Sequence, residues 1–151
     1  MLCSAYASAK EADKANWCDA LVRLHVVADS DDAEAQALKL KVRDAVLEAV
    51  RPLVENCMSA DEAFYTLNAN LETLEAAALV SAQASGYAGD LFAETGVFAF
   101  PDRTYGGVLV PEGDYRALRI VIGTGEGKNW WCVLYPTLCM DDSGEYTFAI
   151  G

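Results

Sequence analysis

At 151 residues, 53% hydrophobic and 23% charged, the chain is long enough for one domain with a real core and too short for two, and its composition is not that of a disordered segment. Its formal net charge of −12 is uneven, with ten acids against seven bases in residues 1–60 and thirteen against four in residues 61–151. Such a surface repels phosphate backbones and anionic headgroups, which argues against a nucleic-acid partner and disfavours an anionic lipid surface.

No stretch of the sequence is apolar for long enough to span a bilayer. Met1-Leu2-Cys3-Ser4-Ala5-Tyr6-Ala7-Ser8-Ala9 reads as the end of a secretory signal, with Ala5 and Ala7 flanking a cleavage point, but lacks the basic and hydrophobic parts that precede one. The alternative is a plain small-residue tail. Residues 1–20 therefore read as a poorly ordered leader or export-signal remnant, 21–140 as the domain, and 141–151 as a short exposed tail.

Leu21 to Ala28 is β-branched and aliphatic and predicts a strand, with Val22, Leu24 and Val26 on one face and Arg23 and His25 on the other. Asp29-Ser30-Asp31-Asp32 supplies caps and acids for a helix start. That helix runs to about Val54, with Leu38, Val42, Ala45, Ala49 and Leu53 near one face and Pro52 placed to kink or end it. Ser59 with Glu62 predicts a capping box for a second helix, running to about Ser85 with Ala63, Leu67, Leu71, Leu74 and Ala78 in its stripe and Gly86 as its stop. The short connection makes the two helices antiparallel neighbours. Strand-like runs follow at Leu91–Phe100, Tyr105–Val110 and Tyr115–Ile122, then a glycine loop over 123–128 and a strand, apolar on both faces, over Asn129–Tyr135. The order predicts an α+β fold, with two antiparallel helices on one face of a mixed, mostly antiparallel sheet of four to five strands.

The glycine loop is not a phosphate cradle, because Lys128 is followed by Asn129 and a strand rather than by Ser or Thr and a helix. It reads as a tight turn. No cofactor or metal motif is present: the only histidine is His25, and the five cysteines contain no CxxC pair. Cys132 as nucleophile and His25 as base would make a cysteine hydrolase if the fold brought them together, with Asp29 or Asp44 available to orient the imidazole. The alternative is a half-buried histidine and a packed cysteine. Cys132 and Cys139 are spaced so that Pro136 can turn the chain back into a small disulfide loop, which an oxidising compartment would favour. Cys57 reads as an interhelical packing residue. Trp130 and Trp131 point to opposite faces, so one is core and the other lies on the second face, under helices, tail or partner. Asp61, Glu62, Glu72 and Glu75 read as a solvated helix face.

The segment Gly123-x-Gly-x-Gly-x-Asn129-Trp130-Trp131-Cys132-Val133-Leu134-Tyr135-Pro136-x-Leu138-Cys139 closely resembles the signature of the stage II sporulation protein R family. Three further blocks agree in the same order: Arg23-Leu24-His25-Val26 with Ala28 to Asp31; Gln36 to Asp44; and Phe100-Pro101-x-x-x-Tyr105-Gly106 with Pro111-x-Gly113-x-Tyr115-x-Ala117. Mild departures are Asp29 in place of Asn, Asp102-Arg103 in place of Thr-Lys, and Thr137 in place of a second proline. The resemblance implies a protein made in the forespore and exported into the space between forespore and mother-cell membranes. There it would activate a membrane-embedded aspartic protease that cleaves the sigma-E precursor. On that reading the chain is a ligand, not an enzyme. Arg23, His25, Asp29, Asp44, Tyr105, Gly106, Tyr115, Asn129, Trp130, Trp131, Cys132, Pro136 and Cys139 are then its signature and candidate partner-binding positions, and the catalytic aspartates belong to the protease.

Overall fold

The computed structural model describes residues 16–105 and 107–136. Strand β1 (Val22–Val27) is followed by helices α1 (Ala33–Val54), α2 (Ala60–Ala69) and α3 (Leu71–Ala84). Strands β2 (Leu91–Phe100), β3 (Arg103–Tyr105), β4 (Val108–Val110), β5 (Gly113–Ile122) and β6 (Asn129–Tyr135) complete the described chain. The fold is α+β, as expected.

The helix starts are where side-chain oxygens can satisfy free amides. Asp32 accepts from the Ala35 N–H at 2.8 Å, and Ser59 from the Glu62 N–H at 3.1 Å. Glu62 reaches back past the cap to the Met58 N–H at 2.8 Å. The expected second helix is two helices. At Asn70 the backbone leaves helical geometry (φ −109°, ψ 18°), and the side-chain amide donates to the Thr66 carbonyl at 2.8 Å. Asparagine competes with the helical ladder in this way, and apolar spacing does not register it. Pro52 lies on the exposed side of α1, which ends two residues later.

The α1 stripe also differs from the expectation. Leu38, Val42, Val46, Leu47, Val50 and Val54 are buried, whereas Ala45, Ala49 and Leu53 are half-buried. Turning the valines inward removes more apolar area from water than turning the alanines. Ala45 and Ala49 instead border a seam with Thr73, Ala76 and Ala77 of α3. Ser81 donates to the Lys41 carbonyl at the other end of that seam, at 3.3 Å, so the two helices run antiparallel.

The main sheet has the order β2-β5-β1-β6, with β1 parallel to β5 and the other two pairs antiparallel. β3 and β4 form a separate hairpin, where the sequence suggested one run. Period-two alternation divides β1 between two cores. Val22, Leu24 and Val26 join the three helices, with Leu118, Ile120, Cys132 and Leu134. The opposite face carries Tyr115, Ala117 and Val133, roofed by Phe100, Tyr105 and Val110. Residues 16–20 are helical, and Trp17 and Cys18 pack against this second core, so the described fold starts ahead of residue 21.

Candidate functional site

Six of the candidate residues, Arg23, His25, Tyr105, Tyr115, Asn129 and Trp131, gather on the second face of the sheet. Arg23 lies between Ala117 and Val133, and His25 between Arg119 and Trp131. Arg23 is completely buried. Its guanidinium lies over the rings of Phe100, Tyr115 and Tyr105 at 4.3, 4.7 and 5.6 Å, a cation–π cage. One terminal nitrogen donates to the Tyr105 hydroxyl at 2.6 Å, while Nε and Nη1 have no hydrogen-bond partner. Tyr105 in turn donates to the Trp131 carbonyl at 3.3 Å, tying the hairpin to β6. Burial pushes the Tyr105 hydroxyl up to about 12, against the pull of the nearby Arg23 charge. Tyr115 donates to the Pro111 carbonyl, and burial lifts it likewise to about 12.

His25 stacks on Trp131, with centroids 3.8 Å apart and planes at 12°, and meets Phe100 edge-on. Its Nε2 lies 2.9 Å from the Asn129 side-chain oxygen, and its Nδ1 is buried without a partner. Burial lowers the imidazole to about 4, with Arg119 adding to the shift and the Asn129 hydrogen bond opposing it. The imidazole is therefore neutral at neutral pH.

Neither acid proposed to orient it does so. Asp29 accepts from the Thr124 N–H at 2.8 Å and hydroxyl at 3.1 Å, and Asp31 from the Lys128 N–H at 2.8 Å, so both hold the glycine loop against the end of β1. Asp44 is bound by the neighbouring Arg43, whose guanidinium lies 4.4 Å from the Trp130 ring on the helical side. The loop itself is a turn, with positive φ at Gly123 and Gly125.

Cys132 and His25 do not meet. Cys132 lies opposite Leu24 in the helical core, and His25 lies on the other face, so alternation directs the two side chains apart. The tryptophans divide as the strand pattern predicts: Trp130 packs against the helical core and Trp131 against the second, both half-buried. Pro136 is exposed. Gly106 and Cys139, and with Cys139 the proposed bridge to Cys132, lie outside the described residues. Cys57 packs against the helical core as expected. Not all of the acids on α2 and α3 are simply solvated: Asp61 pairs with Arg116, and Glu75 accepts from the Ala93 N–H at 2.9 Å. Sequence reading missed Phe100 and Arg119 as neighbours of Arg23 and His25, and Asn129 as the imidazole's partner. Sheet register brings Arg119 and Asn129 there, and the packing of the end of β2 over the second face brings Phe100.

Among the described residues, no group of three or more His, Cys, Asp or Glu is placed to hold a metal ion, and no helix is long and apolar enough to cross a membrane.

Comparison with known proteins places these features in context. Residues 18–145 match the family described as Stage II sporulation protein R (spore_II_R). The chain is 35% identical over 124 residues to "Stage II sporulation protein R" of Bacillus subtilis (strain 168), a match covering 82% of this chain and 55% of that relative. The chain thus spans about half the length of the curated relative. No solved structure matches significantly.

Proposed function

The chain belongs to the stage II sporulation protein R family, and from that premise we propose that it is an exported signal of endospore formation that activates a membrane-embedded aspartic protease, leading to processing of the sigma-E precursor. Made in the forespore, it works in the space between the forespore and mother-cell membranes. It acts as a ligand and touches the membrane only through its partner. The observation that carries this reading is the family match over residues 18–145, which takes in the whole Asn129–Tyr135 strand.

The geometry is compatible with a ligand. The rival, a cysteine hydrolase built on Cys132 and His25, needs the two groups within hydrogen-bond reach, and they lie on opposite sheet faces. The surface proposed to engage the protease is β6 with the glycine loop, where Trp130 and Trp131 are half-buried and the loop is pinned by Asp29 and Asp31. One tryptophan serves as the anchor.

The test is co-expression of this chain with the candidate protease and the sigma precursor in a host that does not sporulate. Cleavage that depends on the chain supports the proposal. Cleavage at the same rate without it, or turnover of a substrate by the purified chain alone, defeats it. Trp130→Ala and Trp131→Ala separate the anchor from the wider reading: if both variants fold and both still trigger cleavage, the anchor is elsewhere.

A further inference from the structure

The sheet has two edges, and they are finished differently. At β6, the Trp131 carbonyl accepts from Tyr105 of the hairpin. At the far edge lies β2, ten residues long and, among the described residues, paired only with β5. Its Ala93 amide is turned outward, where Glu75 accepts it at 2.9 Å. In a regular antiparallel ladder, alternate residues turn their amides the same way, and the β2–β5 register runs unbroken from Leu91 to Phe100. The amides and carbonyls of Thr95, Val97 and Ala99 therefore also face outward. The Thr95 side chain is held by Asn68, but among the described residues no helix supplies a carboxylate to the three outward amides beyond Ala93.

Long open edges with apolar side chains are strand acceptors unless they are blocked. This one is apolar: Val97 is 62% exposed on the helical side, and Phe92, 46% exposed, shares the other side with half-buried Phe98. Glu75 guards it at Ala93 and Glu94 adds one charge, but between Leu91 and Phe100 it has no proline, no lysine and no bulge.

Its surroundings select the occupant. Asp61, Glu72, Glu75, Asp90, Glu94 and Asp114 lie along this edge or on the segments packed beside it. The two arginines of β5 nearby offset two of these, Arg116 pairing with Asp61 and Arg119 with Glu94, which leaves Glu72, Glu75, Asp90 and Asp114 as the acidic rim. A second copy would bring the same carboxylates face to face. We propose that the Thr95–Ala99 edge of β2 is a docking edge for an extended, alternately apolar segment of a partner protein flanked by lysine or arginine, which adds to the sheet as a fifth strand. Backbone ladder bonds supply the affinity, Val97 and Phe98 supply the apolar seats on the two faces, and the acidic rim sets the preference for basic flanks. This edge is the one remote from β6, so the inference stands or falls independently of the tryptophan anchor.

The test is an amide NMR titration of the full chain with three capped synthetic peptides: KVTVTVK, its glutamate-ended counterpart EVTVTVE, and the proline-interrupted KVTPTVK. Expected are shifts concentrated at Thr95, Val97 and Ala99 with KVTVTVK, with both control peptides binding about tenfold more weakly. Val97→Lys, at an exposed position that leaves the fold intact, weakens KVTVTVK at least about fivefold by like-charge repulsion. Three results overturn the inference. The first is no shift at about 1 mM KVTVTVK, or shifts confined to the helices or β6. The second is equal binding of KVTVTVK and EVTVTVE. The third is concentration-dependent protection of the same three amides in the protein alone, which would assign the edge to a second copy.

Discussion

Acid should destabilise this protein through the buried His25. The imidazole is only 8% exposed, stacked on Trp131 and held by Asn129, and burial lowers it from 6.5 to about 4. Because the folded value lies below the unfolded one, the neutral form belongs to the native state. The stability it contributes is complete above about pH 6.5, falls as the pH drops toward about 4, and declines no further below that. Linkage with those two values gives a loss of about 1.8 kcal/mol between about pH 7 and about pH 5 from this one group. With a urea m-value of about 1.5–2 kcal/mol/M for a domain of this size, the unfolding midpoint should fall by roughly 1 M. Carboxylates titrate in the same range, so the comparison that isolates His25 is with His25→Gln, which cannot ionise. Urea unfolding followed by tryptophan fluorescence at both pH values should show the wild type losing about 1.5–2 kcal/mol more than the variant. Equal losses within about 0.5 kcal/mol, or an imidazole that titrates near its ordinary value by NMR, would refute the argument.

Tyr105→Phe removes the one acceptor that the described residues offer the buried Arg23 guanidinium and leaves a third nitrogen without one. Urea unfolding should show a cost of about 1–3 kcal/mol. Gly127→Ala drives a methyl group into the Ser30 carbonyl and the Ala28 side chain, with an expected loss of about 1–3 kcal/mol by the same assay and selective amide shifts in residues 123–128. Asp32→Ala strips the α1 cap from the Ala35 amide and should lower stability by about 1 kcal/mol, while Asp32→Asn, which keeps an acceptor, recovers most of it.

The helix caps, the strand at each end of the domain and the two-sided character of β6 were legible in the sequence because each is a local signal. Asp32 and Ser59 each cap the turn that follows, and two adjacent tryptophans on a strand must part. The break at Asn70 was not legible, since the apolar stripe runs through it and the competing signal is one side chain bonding back to Thr66. The candidate site was half legible. Arg23 and His25 were correctly placed on the face away from Val22 and Leu24. Their partners come from β5, β6, the end of β2 and the hairpin, as many as 106 positions away, and only the tertiary fold assigns them. The His25–Cys132 pairing failed for the same reason: it needed both groups on one face, and alternation with the β1–β6 register separates them.

Arg23 shows why a domain without an evident active site still carries a costly interior. A buried cation gains little stability from aromatic contacts alone, and with two guanidinium nitrogens unpartnered it is expensive to keep. Its position offers a structural return. The guanidinium touches Phe100 at the end of β2, Tyr105 on the hairpin and Tyr115 on β5, and through Tyr105 it reaches the Trp131 carbonyl on β6. A leucine there would fill space but fix no orientation, whereas the planar fork ties strands from both sheet edges to the central β1. Trp130, under Arg43 of α1, does the corresponding work on the helical face. The β6 strand is thereby clamped from both sides, which is the condition a ligand needs if it is to present a fixed surface to a partner without paying to order it on contact.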